Sequence, residues 1–342
     1  MTSLHFTIWV TSACNLRCKY CYEGIEKENQ FLSVENSDEI LSFIGEICRK
    51  SNCKQCRISF HGGEPSLNVP AIKYIISSFE QKSGVECCQY EMTTNGYQLS
   101  EDTIQFFAEN IHDLTVSIDG TQRSHNSNRL NASGNGSFQE VFRNAEKILK
   151  LRNQLGRKLR VRMTLNADNY QYLYESVVFL IEHGFKEIVP GVDYGEKRWT
   201  ESHFDEIYKQ YQQIRAYLEE HAPDAYVSSM SREEISKKSF CDGCRSSFHL
   251  SPDGKIYPCI YVVNDPVYCM GDVRTGLDKE KLYSFDKINA EPVPECADCG
   301  FYDYCPTKRC KYINQKLTGD YLKPSPIVCA SERLLLKMAG II

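Results

Sequence analysis

Three cysteines near the amino terminus lie close together in the sequence, and their reactive side chains are candidate metal ligands. Three residues separate Cys14 from Cys18, and two separate Cys18 from Cys21. Thiolates at this spacing can converge on one face of a tight loop, which suits an iron–sulfur cluster better than tetrahedral zinc. A cube-shaped cluster has four irons, so one iron would be left without a protein ligand. Such an open metal position is typical of a catalytic site, as it is for zinc.

A second candidate group occupies residues 61–65, where two glycines precede a carboxylate and a proline. Gly62 and Gly63 allow the backbone to turn sharply and to come close to a ligand, and Pro65 fixes the direction of the exit. An ordinary turn between a strand and a helix is the other meaning of a Gly-Gly pair. Glu64 is the candidate for a charged contact with a ligand.

The elements that must position these residues follow from apolar periodicity. Alternating apolar residues predict a first strand over 5–10, directly before the cysteine loop, and helical spacing predicts a helix over about 35–50. Strand and helix patterns then alternate to the end of a sixth helix near residue 218. The other predicted strands cover residues 57–60, 89–93, 114–118, 159–165 and 187–189. Six such units imply parallel strands and right-handed crossovers, hence an α/β fold, a partial (β/α)6 TIM-like barrel.

Polar residues follow several of these strands. Asn95 lies in a Thr-Asn-Gly run after the third strand, and Ser117 and Asp119 close the fourth. Each run of this kind is by itself typical of a turn. In barrels of parallel strands, however, the chemistry gathers at the carboxyl ends of the strands. Because the cysteine loop and residues 61–65 also follow strands, all of these residues are predicted to meet at one rim.

Together these motifs resemble those of the radical S-adenosylmethionine (SAM) enzymes. The cysteine loop, with the aromatic Tyr20 directly before its last cysteine, resembles the CxxxCxΦC loop of that family, and residues 62–64 resemble its Gly-Gly-Glu motif. The resemblance implies that the open iron of a [4Fe–4S] cluster holds SAM. It also implies that an electron from the cluster splits SAM into methionine and a 5′-deoxyadenosyl radical.

The same resemblance implies a set of cofactor-binding residues. Glu64 would contact the amino group of SAM, and the polar residues after the third and fourth strands would contact SAM and substrate. Residues 125–129 are similar to the segment that follows the fourth strand in anaerobic sulfatase-maturing enzymes. The expected cofactor-binding residues are Tyr20, Gly62, Gly63, Glu64, Asn95, Ser117, Asp119 and Arg129.

Composition bounds the class of protein. The 342 residues are 42% hydrophobic and 25% charged, which is ordinary for a globular protein. A net charge of −5 disfavours nucleic acid and anionic membranes as partners. Neither a signal peptide nor a membrane-spanning run is recognisable, so a cytoplasmic protein is expected. The 17 cysteines are an odd number and, in a reducing compartment, indicate metal or redox chemistry.

Nine of the 17 cysteines lie after residue 240, where apolar periodicity fades. Their spacing, with Gly254 placed between Cys244 and Cys259 and a later run of four cysteines, resembles the SPASM domain, which carries two auxiliary [4Fe–4S] clusters. We therefore expect a radical SAM barrel over residues 1–225 and a SPASM domain over residues 226–342. Zinc binding by the CxxC pairs is the alternative for this region.

The family's interleaved connectivity implies two ligand sets. The outer cluster would be held by Cys296, Cys299, Cys305 and Cys329. The inner cluster would be held by Cys244, Cys259 and Cys310, with a fourth ligand that is Cys241, Cys269 or a substrate thiolate. The cysteine pairs 53/56 and 87/88 fall at the amino ends of strands, opposite the predicted site, and are interpreted as incidental thiols.

Radical SAM enzymes with SPASM domains mostly modify ribosomally made peptides or proteins, so the first functional hypothesis is a peptide maturase that forms a crosslink, a thioether or an oxidised side chain. The second is a sulfatase-maturing (formylglycine-generating) enzyme. That family has an aspartate base directly after the cysteine of the Gly-x4-Cys element, where this sequence has Ile260. A dehydrogenase of a small non-peptide substrate and an electron carrier are further alternatives.

The expected partners follow from the first hypothesis. A flavodoxin- or ferredoxin-type protein would supply the electron. Only 13 residues precede Cys14, too few for the winged-helix domain with which many peptide maturases bind a leader peptide. Leader binding is therefore expected from a separate protein or another surface, or is not needed.

Overall fold

The computed structural model describes residues 4–230 and 235–341. Its centre is one eleven-stranded sheet with the order β11-β10-β9-β8-β1-β2-β3-β4-β5-β6-β7. The strands are β1 (Leu4–Thr11), β2 (Gln55–Gly62), β3 (Cys87–Thr94), β4 (Asp113–Ser117), β5 (Leu159–Leu165), β6 (Glu187–Val192), β7 (Tyr226–Val227), β8 (Ser247–Leu250), β9 (Lys255–Tyr257), β10 (Gly271–Asp272) and β11 (Gly276–Leu277).

Helices cover the outer face of the parallel part of the sheet. They are α1 (Val34–Lys50), α2 (Val69–Ser83), α3 (Glu101–Asn110), α4 (Gln122–Asn126), α5 (Phe138–Gln154), α6 (Leu173–Glu182) and α7 (Glu201–His221). The cysteine-rich region adds α8 (Lys279–Ala290), α9 (Lys311–Thr318) and α10 (Pro326–Met338).

Helix α1 shows why these segments form where they do. The Ser33 side chain accepts a hydrogen bond from the Asn36 amide at 3.1 Å and caps the first turn. Ile40, Ile44 and Cys48 then repeat at helical spacing and are all buried. Cys48 thus lies in the core, where a free cysteine behaves as a small hydrophobic residue.

Strands β1 to β7 are parallel, and the predicted fold class is confirmed. All six predicted strands are present, with bounds that differ by up to three residues. The structure adds one short parallel strand at each edge: β7 next to β6, and β8 next to β1. The sequence analysis missed both because two and four residues are too few to show a period. From β8 to β11 the strands are antiparallel and carry the sheet into the cysteine-rich region.

The parallel register brings the carboxyl ends of the strands to one rim. Gly62 at the end of β2 pairs with Thr11 at the end of β1, and Val116 on β4 pairs with Thr94 at the end of β3. At the opposite end, Cys56 and Cys88 are register partners whose Sγ atoms lie 3.8 Å apart. The cysteine pairs 53/56 and 87/88 therefore lie at the amino ends of the strands, as predicted.

Within the described residues, no helix is both long and apolar enough to cross a membrane.

Candidate active site

The loop that carries Cys14, Cys18 and Cys21 directly follows β1. A turn between the Cys21 amide and the Cys18 carbonyl, 3.1 Å apart, folds its second half. The Leu16 amide donates to Cys14 Sγ at 3.4 Å, and the Lys27 ammonium donates to Cys21 Sγ at 3.0 Å. Hydrogen bonds to the sulfurs are one way in which proteins tune iron–sulfur clusters. The donors around the three thiols therefore suit such a cluster.

The two glycines of residues 61–65 allow two backbone segments to touch. A Cβ added at Gly62, whose φ is +135°, would lie 1.9 Å from the Thr11 carbonyl oxygen. A Cβ at Gly63 would lie 2.4 Å from the Ala13 carbonyl oxygen. The Glu64 amide donates to that Ala13 oxygen at 2.8 Å. Only glycine fits here, because the segment packs directly on the chain that leads into the cysteine loop.

Glu64 is held rigidly at this contact. It is 2% exposed, and its carboxylate accepts hydrogen bonds from Thr94 Oγ1 at 2.7 Å, the Asn95 amide at 2.6 Å and the Ser66 amide at 3.0 Å. Burial raises the pKa of the Glu64 carboxyl, and these three donors act in the opposite direction. The carboxylate lines the central cavity with its orientation already fixed.

Asp119 organises the other wall of the site from a fully buried position. It accepts hydrogen bonds from Tyr20 Oη at 2.5 Å and from Arg129 Nη2 and the Thr164 amide at 3.1 and 2.9 Å. The Arg129 guanidinium lies 5.3 Å from the centre of the Tyr20 ring. Tyr20 and Arg129 line the cavity, whereas Asp119 lies behind them. The carboxylate therefore sets their positions from outside the cavity wall.

Asn95 and Ser117 differ in how far their side chains are engaged. The Asn95 amide nitrogen donates to Asn15 Oδ1 at 2.8 Å, and its oxygen accepts from the Tyr97 amide at 2.8 Å. Asn95 thus ties the cysteine loop to the end of β3. The Ser117 hydroxyl lines the cavity and makes no hydrogen bond with any residue that the structure describes. It is available to a ligand.

Two aromatic side chains at the cavity, Tyr22 and Tyr261, were not singled out from the sequence. The Tyr22 hydroxyl lies 3.3 Å from His61 Nε2, and the Tyr22 ring lies 4.9 Å from the ring of Tyr261. Tyr261 comes directly after Ile260, so this contact joins the cysteine loop to the cysteine-rich region. Tyr22 and Tyr261 are far apart in the sequence, so no local or periodic pattern could have predicted their contact.

Apart from Asp119, all residues predicted to bind the first cluster and SAM border one cavity of about 2040 Å³. Its wall includes the three cysteines of the loop, the Gly-Gly-Glu segment, the inner face of β4 to β6, and parts of the cysteine-rich region. Sites for drug-sized ligands are usually about 300–1000 Å³. The cavity therefore exceeds the needs of one small cofactor.

Several cysteines of the carboxyl-terminal region lie near enough to influence one another electrostatically. Electrostatic effects on the Cys296 thiol come from Cys305, Cys299 and Cys329, which together form the predicted outer set. The thiol of Cys310 is affected most by Cys259 and Cys241 of the predicted inner set, and less by Cys305 of the outer set. Cys244 is influenced by Cys241 and Cys269. Cys241 and Cys269 are therefore both near enough to Cys244 to be the fourth inner ligand.

Lys311 provides an independent sign that an anionic group belongs in this region. Its side chain is 1% exposed, and Nζ has no hydrogen-bond partner among the described residues. Burial lowers the pKa of Lys311, while Glu291 and Cys296 act against this. An iron–sulfur cluster ligated by thiolates is negatively charged and would supply the missing partner. The residues present therefore fit auxiliary clusters.

Comparisons with known proteins agree with this geometry. The profile of the Radical SAM superfamily matches residues 8–180, half of the chain. A cysteine-type anaerobic sulfatase-maturating enzyme of Clostridium novyi (strain NT) is 24% identical over 335 residues, covering 86% of this chain and 84% of that protein.

Two solved structures share the fold over nearly the whole chain. Native anSMEcpe with bound AdoMet and Kp18Cys peptide has a TM-score of 0.81 at 19% identity, covering 99% of this chain and 97% of that one. Streptococcus suis SuiB bound to precursor peptide SuiA has a TM-score of 0.65 at 16% identity, covering 95% and 75%. With the matching profile, these findings confirm the resemblance drawn from the motifs: the chain belongs to the radical SAM superfamily.

Proposed function

We propose that this protein is a radical SAM maturase that modifies a residue of a ribosomally made peptide or protein. When bound, the cluster and SAM would supply a carbon-centred radical that removes a hydrogen atom from the substrate. The chemistry after that step, whether a crosslink, a thioether or an oxidation, is set by the substrate residue and its neighbours.

Different residues around the cavity would bind the cluster and SAM. Cys14, Cys18 and Cys21 would hold the cluster. Glu64, fixed by three hydrogen bonds, would bind the amino group of SAM, and the free Ser117 hydroxyl would accept or donate a further bond. Tyr20 and Arg129, positioned by Asp119, close the wall beside the loop.

The observation that carries the proposal is the size of the cavity next to the cysteine loop. At about 2040 Å³ it is roughly twice the upper end of the usual range for a small-molecule site, so it leaves room for a peptide segment beside SAM. The similar structures of anSMEcpe and SuiB both have peptides bound, which supports this use of the space.

The cysteine-rich region would hold two auxiliary [4Fe–4S] clusters that exchange an electron with the substrate or ligate it. The outer ligands would be Cys296, Cys299, Cys305 and Cys329, and the inner ones Cys241 or Cys269 with Cys244, Cys259 and Cys310. A flavodoxin- or ferredoxin-type reductant, and a separate leader-binding protein if the precursor has a leader, would complete the system.

Sulfatase maturation is the second candidate, because the similarity to sulfatase-maturating enzymes extends over most of the chain. Against it stands Ile260, which lines the cavity where that family is expected to have its aspartate base. An aliphatic side chain cannot accept a proton. We therefore rank formylglycine formation below modification of another peptide.

The test uses anaerobically reconstituted protein with SAM and dithionite. We expect 5′-deoxyadenosine from the wild type and none from Cys18→Ala. A Cys-containing sulfatase peptide is then compared with a randomised peptide library by mass spectrometry. Modified library peptides without formylglycine would support the proposal, and formylglycine in the sulfatase peptide would favour the second candidate. Deoxyadenosine that forms only with a small alcohol or sugar would contradict both.

A further inference from the structure

Arg162 is a charged side chain inside the barrel that has no ion-pair partner among the residues that the structure describes. It lies on β5, its side chain is exposed to the cavity, and it makes no ion pair or hydrogen bond through its guanidinium with any residue in the described ranges. A guanidinium has five N–H donors and stays charged at all physiological pH values. Its donors are therefore available to an anionic ligand.

The other charged side chains on the inner face of the strands are paired. Near the amino ends, Arg57 lies 3.0 Å from Glu91, and Arg160 lies 2.9 Å from Asp113. At the rim beyond the carboxyl ends, Arg129 borders the cavity and is paired with Asp119 behind it. Arg162 lies between these two layers, and among the charged side chains on the inner face of β1 to β6 it is the one without an ion pair within the described residues.

The Arg162 guanidinium packs over a glycine and lies near three tyrosines. A Cβ added at Gly191 on β6 would lie 2.7 Å from Arg162 Nη2, so the glycine makes room for the guanidinium. The hydroxyls of Tyr194, Tyr211 and Tyr261 are near enough to be influenced by its charge. Burial raises the pKa of Tyr211 to about 12, and the Arg162 charge opposes that rise. Aromatic walls around a cation lower the local dielectric and strengthen a salt bridge to an incoming anion.

We propose that Arg162 binds a carboxylate of the peptide substrate, either an Asp or Glu side chain close to the modified residue or the carboxyl terminus. The inference rests on the proposed function and makes Arg162 a specificity-determining residue rather than a catalytic one. A guanidinium binds a carboxylate through two parallel hydrogen bonds, which fixes the orientation of the partner as well as its charge.

The carboxylate of SAM is the competing source of the same chemistry. SAM must reach the cysteine loop after β1 and Glu64 after β2, whereas the Arg162 guanidinium lies over Gly191 on β6, four strands along the sheet. The guanidinium thus faces the part of the cavity that SAM leaves to the substrate. The experiment below separates the two sources.

The probe is a synthetic library of twelve-residue peptides with one central Cys and randomised flanks, made both as free acids and as C-terminal amides. Reconstituted wild type, Arg162→Gln, Arg162→Lys and Arg162→Glu are incubated with each form, and modified peptides are sequenced by mass spectrometry. SAM affinity is measured for each variant by equilibrium dialysis. Arg198→Gln, which removes an exposed arginine paired with Asp168, is the matched control.

We expect the wild type to enrich Asp or Glu at a fixed distance from the Cys, or free acids over amides, at least tenfold. Arg162→Gln should lose the enrichment, Arg162→Lys should keep part of it, and Arg162→Glu should select Lys or Arg. Gly191→Ala displaces the guanidinium without removing the charge and should weaken the same selectivity. The control Arg198→Gln should behave as the wild type.

Two results would overturn the inference alone. One is equal modification of acidic and amide peptides by the wild type. The other is a fall in SAM affinity in Arg162→Gln with unchanged peptide selectivity, which would assign the guanidinium to SAM. A wild type that makes 5′-deoxyadenosine but modifies no peptide would instead contradict the proposed function, and this inference with it.

Discussion

At the scale of single residues, a buried carboxylate arranges much of the candidate site. Asp119 is fully buried and contacts Tyr20, Arg129 and the backbone of Thr164, so one side chain links the cysteine loop, the segment after β4 and the end of β5. Its charge is compensated by Arg129, whose side chain is 7% exposed. The Asp119–Arg129 pair is therefore a buried ion pair with a structural role, unlike an ion pair on the surface.

Removal of Arg129 should therefore lower the free energy of unfolding. Arg129→Gln leaves the Asp119 charge buried without a cation, and loss of one partner of a buried pair costs about 3–5 kcal/mol. The exposed pair between Arg198 and Asp168 is the control, and Arg198→Gln should cost at most about 1 kcal/mol. Urea unfolding of the two variants measures both values. Equal losses would contradict the structural role of the buried pair.

Glu64 should act on ligand binding more than on stability. Glu64→Gln replaces an acceptor of three hydrogen bonds by a group that can accept at only one atom and that carries no charge for the amino group of SAM. We expect SAM affinity to fall at least tenfold while the iron content stays at the wild-type value. Equilibrium dialysis with labelled SAM and iron analysis check this. Unchanged SAM affinity would remove Glu64 from the cofactor site.

The sequence predicted those residues whose roles depend on short backbone motifs. The cysteine spacing and the Gly-Gly-Glu run are local, and the structure brings them together because each follows a parallel strand. Arg162 and Tyr22 escaped prediction for the opposite reason. Their significance depends on what lies opposite them across the cavity, and a lone arginine on a strand has no local signal.

At the scale of elements, β8 joins the cysteine-rich region to the barrel. It pairs with β1, the strand that leads into the cysteine loop, through four residues from Ser247 to Leu250. This strand was not predicted, because four residues between cysteines carry no readable alternation. The consequence is that the strand before the first cluster loop and the region expected to hold the auxiliary clusters share backbone hydrogen bonds.

His249 on β8 should make the stability of the pairing between β8 and β1 depend on pH. Burial, with smaller effects from His5 and His61, lowers the pKa of His249 to about 3. The unfolded chain, with a pKa near 6.5, binds a proton that the folded chain refuses, so stability present above pH 6.5 is lost as the pH falls toward 3. At pH 5 this amounts to about 2 kcal/mol for one histidine.

His249→Gln should therefore lose less stability than the wild type between pH 8 and pH 5. Thermal unfolding at both pH values measures the difference. The exposed His221 on α7 supplies the control, and His221→Gln should keep the wild-type pH dependence. Identical pH dependence of the His249 variant and the wild type would show that the buried imidazole is not responsible.

At the scale of the whole molecule, the barrel and the cysteine-rich region depend on different sources of stability. The barrel buries a continuous apolar layer between its sheet and helices. Many of the carboxyl-terminal cysteines are instead spread over short turns, where metal binding would supply part of the folding free energy. The loss of periodicity in the sequence predicted this contrast. The sequence did not predict that strands of both parts belong to one continuous sheet.

Cluster ligands in the tail should consequently control both iron content and solubility. Three [4Fe–4S] clusters correspond to about twelve irons per chain, and Cys296→Ser should reduce this to about eight or give insoluble protein. Cys87→Ser is the matched control, since Cys87 is exposed at the amino end of β3. Iron analysis after anaerobic purification checks both. A soluble Cys296 variant with full iron would contradict the assignment of the outer cluster.

The most direct test concerns the iron that the cysteine loop leaves open. The protein is purified anaerobically, reduced, and mixed with SAM carrying ¹⁵N in its amino group and ¹⁷O in its carboxylate, and electron–nuclear double resonance is recorded on the cluster. Binding of SAM to that iron predicts hyperfine coupling to both labels in the wild type and none in Cys18→Ala. A fully loaded wild-type cluster without either coupling, or zinc at Cys14, Cys18 and Cys21, would contradict radical SAM chemistry at this site.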